Sequence, residues 1–206
     1  MTQARPYGGV DAADRLARRR SQLLDSGLEL LGSNVDPAEL TVRGICQQAG
    51  LATRYFYESF ADKEQFIGAV FDRVIARLAS TTQAAVAAAP ADQQTRAGMT
   101  NIVRTIEADP RIGRLIFGAQ VSNTTVIRKR AETEALFVML AGQHVETLTR
   151  RAGGERTRAF AYFVVGGVTQ TISAWLAGDV RLGSEQLVDQ LSAIVDAFGE
   201  SSLFRG

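Results

Sequence analysis

One histidine, His144, and one cysteine, Cys46, are all that the 206 residues offer for nucleophilic, general-base or soft-metal chemistry. An internal disulfide needs a second cysteine, and a zinc site needs a cluster of Cys, His or acidic ligands. No metal and no cofactor is therefore expected. There is no glycine-rich phosphate loop and no Ser/His/Asp or Cys/His grouping, so no catalytic residue and no enzyme activity is expected either. A different kind of chemistry is concentrated in Thr53, Arg54, Tyr55 and Tyr57. The fork of an arginine matches the O6/N7 edge of guanine, and threonine and tyrosine can touch bases or thymine methyl groups. These are tools for reading DNA, if the backbone presents them together.

The elements that would present them lie between Thr41 and Lys63, TVRGICQQAGLATRYFYESFADK. Thr41 suits a helix N-cap, its hydroxyl accepting from a free amide of the first turn. Val42, Ile45 and Ala49 follow at helical spacing on one face. Gly50 stops this helix, because glycine takes a left-handed conformation without a Cβ penalty. Leu51 plugs the turn, and Thr53 can cap a second helix on which Phe56 and Phe60 point inward. Cys46 supplies the small apolar side chain needed where the two helices pack closest. Thr53, Arg54, Tyr57 and Glu58 are left facing outward, with Tyr55 at the boundary. This is a helix-turn-helix, whose second helix enters the major groove.

The run resembles the DNA-binding segment of the TetR family of bacterial regulators. Thr41, Ile45-Cys46, Ala49-Gly50-Leu51, Tyr57, Phe60 and Lys63-Glu64 occur in the family's order without a gap. Cys46 stands where alanine is usual, and Arg54-Tyr55 replaces the commoner Gly-Thr, which makes the recognition helix bulkier. The resemblance implies that Arg43 contacts base or phosphate, and that Thr41, Tyr57, Ser59 and Lys63 contact phosphate. Lys63 and the free amides at the start of the helix it opens also make a local anion site. The fold implied is all-α, about nine helices. Residues 1–63 would form a helix-turn-helix DNA-binding domain and 64–206 an effector-binding and dimerisation domain.

Net charge is +1. From Met1 to Lys63 eight basic residues face eight acidic ones, so any attraction to DNA must come from where the charges lie. Arg18-Arg19-Arg20 is the densest basic cluster there, readable as a solvated run or as a backbone contact. The first residues, MTQARPYGG, lack a signal-type apolar core, and a cytoplasmic protein is expected. The uncharged stretch Ala159 to Gly178 is long enough to span a bilayer. Its central Thr169, Gln170, Thr171 and Ser173 favour a helix buried in a protein interface, so no membrane association is expected.

Helices are expected over Val10–Leu31, then from Lys63 (capped by Asp62) to about Ala88, Asp92–Ala108, Pro110–Phe117, Asn123 or Thr124 to Arg151, Glu155–Leu176 and Ser184–Phe198. One helix-turn-helix reads only a few base pairs, so a near-palindromic operator requires a homodimer. Gly166, Gly167 and Ala174, which let backbones approach, and Leu187, Leu191, Ile194 and Phe198 on the last helix are the expected interface. The resemblance also implies a small effector in the body. Met99, Ile106, Phe117, Gln120, Phe137, His144, Phe163, Gln170 and Trp175 are the candidate lining, apolar with a few polar groups. The expected function is a repressor released by a small hydrophobic effector. The alternative keeps the DNA-binding head but makes the body a protein-interaction module without a ligand.

Overall fold

The computed structural model describes residues 9–33, 37–118, 123–149 and 154–200, with side-chain surroundings for 12–33, 37–118, 123–146 and 154–197. Among the described residues there are nine α-helices: α1 (Gly9–Leu31), α2 (Val42–Ala49), α3 (Thr53–Tyr57), α4 (Lys63–Ala88), α5 (Gln94–Ala108), α6 (Pro110–Phe117), α7 (Thr124–Thr149), α8 (Glu155–Ala177) and α9 (Ser184–Glu200). The expected start of the fifth helix at Asp92 shifts slightly, because Ala91–Gln93 forms a 3-10 turn that runs into α5.

Local chemistry sets most boundaries. Thr41 caps α2, its Oγ1 accepting from the Gly44 amide at 3.1 Å. Asp62 caps α4 through the Gln65 amide at 2.7 Å. Asn123 caps α7 by accepting from the amides of Thr125 and Val126 at 2.9 and 3.2 Å. Asp109 accepts from the Arg111 amide at 3.1 Å and precedes Pro110, whose missing N–H costs nothing in a first turn. One cap differs from expectation. Ala52, not Thr53, is the N-cap of α3 and makes no side-chain bond. Thr53 is thus a helical residue, and its side chain lies near the Cys46 thiol across the turn, where it offsets part of the rise in thiol pKa that burial causes.

The head is α1, α2 and α3 wrapped on the first half of α4. Phe56, Phe60 and Phe66 meet with ring centroids 5.2–5.5 Å apart. Phe56 and Phe66 are fully buried beside Leu23, Ile45 and Phe71. Such rings bury large apolar areas, and each near-edge pair adds to that. The body packs α5 against α4 and α9, and α8 against α7 and α6. A single apolar cluster runs from Leu23 in α1 to Leu191 in α9, so no break in packing separates head from body.

The two halves touch most closely where α1 ends on α6. A Cβ on Gly32 would stand 2.8 Å from the Arg111 backbone, so that position has no room for a side chain. The Arg111 guanidinium reaches Glu29 at 3.4 Å, and Arg114 Nε donates to the Gly32 carbonyl. At its other end α6 is held by Arg130 of α7, which donates to the carbonyls of Arg114, Leu115 and Gly118. Burial lowers the pKa of Arg130, and these carbonyls are its compensation.

Candidate functional site

The recognition helix is positioned from below and behind. Gly50, at φ 64° in the left-handed region, ends α2 and turns the chain toward α3. Phe56 anchors α3 into the aromatic cluster, and its edge meets Tyr57 at 5.5 Å and 83°. Gln22 of α1 donates to the Ala49 carbonyl at 2.7 Å and clamps the end of α2. Cys46 is buried between the helices. Burial pushes its thiol pKa up, partly offset by the Thr53 contact, so it is a packing residue and not a reactive one.

Thr53, Arg54, Tyr57 and Glu58 are exposed and Tyr55 is half-buried, as the helix-turn-helix pattern requires. Tyr57 is 59% exposed, a large ring left in solvent on an otherwise polar face. Arg54 lies back along its neighbour: Nη2 donates to the Tyr55 hydroxyl at 2.6 Å, and its guanidinium carbon is 4.6 Å from the Tyr55 centroid. That bond raises the Arg54 pKa further, so the charge is fixed. To read a guanine the side chain must leave this stack, which at an exposed site is a weak hold. Arg43 is exposed near the start of α2, and Thr41 is exposed with its hydroxyl engaged in the cap. Lys63 is half-buried and donates to the Ala38 carbonyl at 3.3 Å.

Ser59 corrects an expectation. Its hydroxyl oxygen is buried and bonded to nothing, so it does not face a phosphate. The Ser59 carbonyl accepts instead from Arg20 at 2.7 Å. The Arg18–Arg20 run is likewise more than a solvated stripe. Arg19 pairs with Glu58 at 3.0 Å and stands 4.3 Å over the Tyr55 ring, while Arg20 stands 4.4 Å over Phe60. Two of the three arginines therefore brace the helix-turn-helix, and Arg18 is exposed. Nothing in a run of three basic residues distinguishes these roles, because their partners lie about forty positions away.

In the body a cavity of about 470 Å³ opens between α4, α5, α7 and α8. Met99, Phe117, Phe137 and His144 line it as expected. Four other candidates do not. Ile106 is 1% exposed and fills the core behind it, Phe163 is 60% exposed on the outer face of α8, and Gln170 is exposed. Trp175 donates through its indole N–H to the Leu182 carbonyl at 2.9 Å and ties down the end of α8. Gln120 lies outside the described residues. Phe160, Val164 and Val168 of α8 line the cavity and were not singled out. Because α8 is apolar on all sides, its pattern has no stripe to tell inside from outside.

The expected dimer face divides in the same way. Leu187 and Leu191 are 0% and 3% exposed in the chain's own core, where α9 packs on α5, so they are not free to meet a partner. Ile194 is 42% exposed, and Phe198 lies outside the residues with described side chains. Among the described residues, nothing beyond their own stretch of helix lies within 4 Å of a Cβ built on Gly166 or Gly167, and Ala174 is half-buried. Helix α8 is long and apolar enough to cross a membrane by length and composition, yet only 11% of its most apolar window is buried within the chain. Among the described residues no group of three or more His, Cys, Asp or Glu is placed to hold a metal.

This geometry, a three-helix head fused to a six-helix body, is the fold of TetR-family transcriptional regulators. No protein-family model and no curated protein matched the chain. Solved structures did. The fatty acid degradation regulator FadR from Bacillus halodurans superposes with a TM-score of 0.70 at 16% identity, covering 94% of this chain and 96% of that one. FadR from Bacillus subtilis, solved in complex with stearoyl-CoA, gives a TM-score of 0.69 at 16% identity over 87% and 97% of the two chains. A TetR-family regulator from Streptomyces coelicolor gives 0.67 at 19% identity over 89% and 82%.

Proposed function

We propose that the chain is a cytoplasmic, one-component transcriptional repressor without enzyme activity. Two copies bind a near-palindromic DNA operator through α3, and a small apolar molecule in the body releases them. In this reading residues 1–63 read DNA and 64–206 bind effector and partner. The observation that carries it is the outward set Thr53, Arg54 and Tyr57 on a short helix locked by Phe56 behind a left-handed glycine. Arg54 is assigned to a base edge with Thr53 and Tyr55 beside it. Arg43, Tyr57, Thr41 and Lys63 are assigned to the backbone.

The cavity favours a ligand-responsive body over a ligand-free interaction module. The open face of α8 around Gly166, Gly167, Tyr162 and Phe163, with Ile194 of α9, is assigned to the partner copy. Coupling would run through α6, since α7 walls the cavity and Arg130 grips one end of α6. Arg111 and Arg114 hold the other end to Glu29 and Gly32 of α1. One solved relative was crystallised with stearoyl-CoA, whose acyl chain is the kind of hydrocarbon group this cavity would suit, although its CoA part is charged.

Selection of duplexes from a random DNA pool by the full-length chain tests the reading. An inverted repeat bound by two chains is the expected outcome. Enrichment of no sequence, or binding by single chains to unrelated sites, would refute it.

A further inference from the structure

Arg54 and Glu58 carry opposite charges four positions apart, the spacing at which side chains on a helix meet. Glu58 is the C-cap of α3 and keeps right-handed helical angles, φ −67° and ψ −23°, so the backbone places the two side chains one turn apart. Among the described residues no such pair forms. The Glu58 carboxylate takes Arg19 of α1 at 3.0 Å instead, and Arg54 Nη2 donates to the Tyr55 hydroxyl at 2.6 Å. Arg19 is the deeper partner, its side chain 24% exposed against 43% for Glu58, and it also stands 4.3 Å over the Tyr55 ring. Its Nε is buried without a hydrogen-bond partner, so the carboxylate and the ring are what hold it.

We propose that Arg19 is a specificity-positioning residue of the DNA-reading helix: by occupying the Glu58 carboxylate it keeps that group from capturing Arg54, which is left available to a base edge. A carboxylate takes a guanidinium fork through two oxygens, the geometry that guanine offers through O6 and N7. It is therefore a stronger competitor for Arg54 than the single hydroxyl of Tyr55. Capture opposes binding only where Arg54 must be released, so it lowers the preference for the base pair that Arg54 reads. Loss of the Arg19 charge as such weakens every duplex alike and cancels in that preference. The inference rests on the reading of α3 as the recognition helix with Arg54 at a base edge, and it assigns a part in that reading to a residue of α1 that acts through Glu58.

The readout is the ratio of dissociation constants for two duplexes, measured with the full-length chain at low ionic strength. One duplex is selected from a random pool, and the other differs from it at the base pair that Arg54→Ala ceases to distinguish. Arg19→Gln should cut this ratio about twofold, the strength of an exposed pair at this spacing, and added salt should shrink the cut. Arg19→Lys, which keeps the charge, should leave the ratio at its original value, and so should Glu58→Gln. In the Glu58→Gln background, Arg19→Gln should change it no further. A crystal structure of the Arg19→Gln variant should place the Arg54 guanidinium on Glu58. An unchanged ratio in Arg19→Gln, an equal cut in both backgrounds, a lysine variant as poor as the glutamine one, or Arg54 still on Tyr55 in that crystal structure would overturn the inference. So would loss of the fold in Arg19→Gln by circular dichroism, which would make Arg19 a structural residue. If the unaltered chain enriches no duplex, the reading of α3 as a recognition helix fails and takes the inference with it. Normal enrichment with no effect of Arg19→Gln sinks the inference alone.

Discussion

In and beneath the head, Phe56, Phe60 and Phe66 are 0–2% exposed and touch one another, whereas on α8 Tyr162 and Phe163 are 47% and 60% exposed. The phenylalanines are consumed internally in one region and held out in the other. In the head, the aromatic cluster fixes α3, and apart from the exposed Tyr57 ring what remains outside is polar or cationic: Thr53, Arg54 and Arg43. In α7 and α8, apolar side chains face two ways, inward to a cavity and outward to an uncovered surface. Tyr162 and Phe163 are adjacent and exposed on α8, and exposed apolar side chains that gather into a patch are what interaction surfaces use. In the proposed reading, the head would recognise by polar groups on a stiff support, and the body by apolar surface it does not itself cover.

Truncation in the two regions should separate them most strongly. Phe56→Ala removes a fully buried ring from a filled cluster and should cost about 3–5 kcal/mol in urea unfolding. Phe137→Ala, at a half-buried position beside an existing cavity, should cost well under half of that. Equal costs would mean that the body is packed as tightly as the head.

Phe163→Arg tests the outward face. It should leave the isolated chain's fold unchanged but place a charge in the proposed contact. Several kcal/mol of desolvation corresponds to about a hundredfold rise or more in the dimer dissociation constant. Sedimentation equilibrium reads this directly, and an unchanged association constant would move the interface elsewhere.

The polar head surface should respond differently. Arg54→Ala should leave folding unchanged and lose about 1–3 kcal/mol of discrimination at one base pair. Lys63→Ala should weaken all sequences alike and reduce the salt slope by about 1. If both variants affect specific and random DNA equally, the division between base and backbone contacts is wrong.

The smallest effect is expected from pH. Burial lowers the pKa of His144, so in acid the unfolded chain binds a proton that the folded chain refuses. The stability present above the unfolded value should therefore decline as pH falls below about 6.5. His144→Gln should flatten that part of the urea-unfolding profile, and an identical slope in both proteins would show that His144 is not the group responsible.

The head was largely legible in the sequence because its signals are local. A capping threonine, a glycine in the left-handed turn and an aromatic pair four residues apart each act within one turn of helix. The long helices and their caps at Asp62 and Asp109 were legible for the same reason. Other features depend on tertiary partners. Phe163 was placed in the pocket and Phe160 overlooked because a helix without a polar stripe gives no phase. Leu187 and Leu191 form a clean stripe, but the stripe does not say whether α5 or a second chain covers it. Ser59 has a suitable hydroxyl, yet its oxygen is buried. Arg19 and Arg20 look like a free basic run until Glu58, Tyr55 and the Ser59 carbonyl are brought to them.

The central claim is that paired chains present two copies of α3 to one face of DNA. Hydroxyl-radical footprinting of the full-length protein on its selected site tests it most directly. Two protected stretches related by dyad symmetry, with centres about one helical turn (~34–36 Å) or a multiple apart, are the predicted result. A single protected stretch that Arg54→Ala leaves unchanged would contradict it.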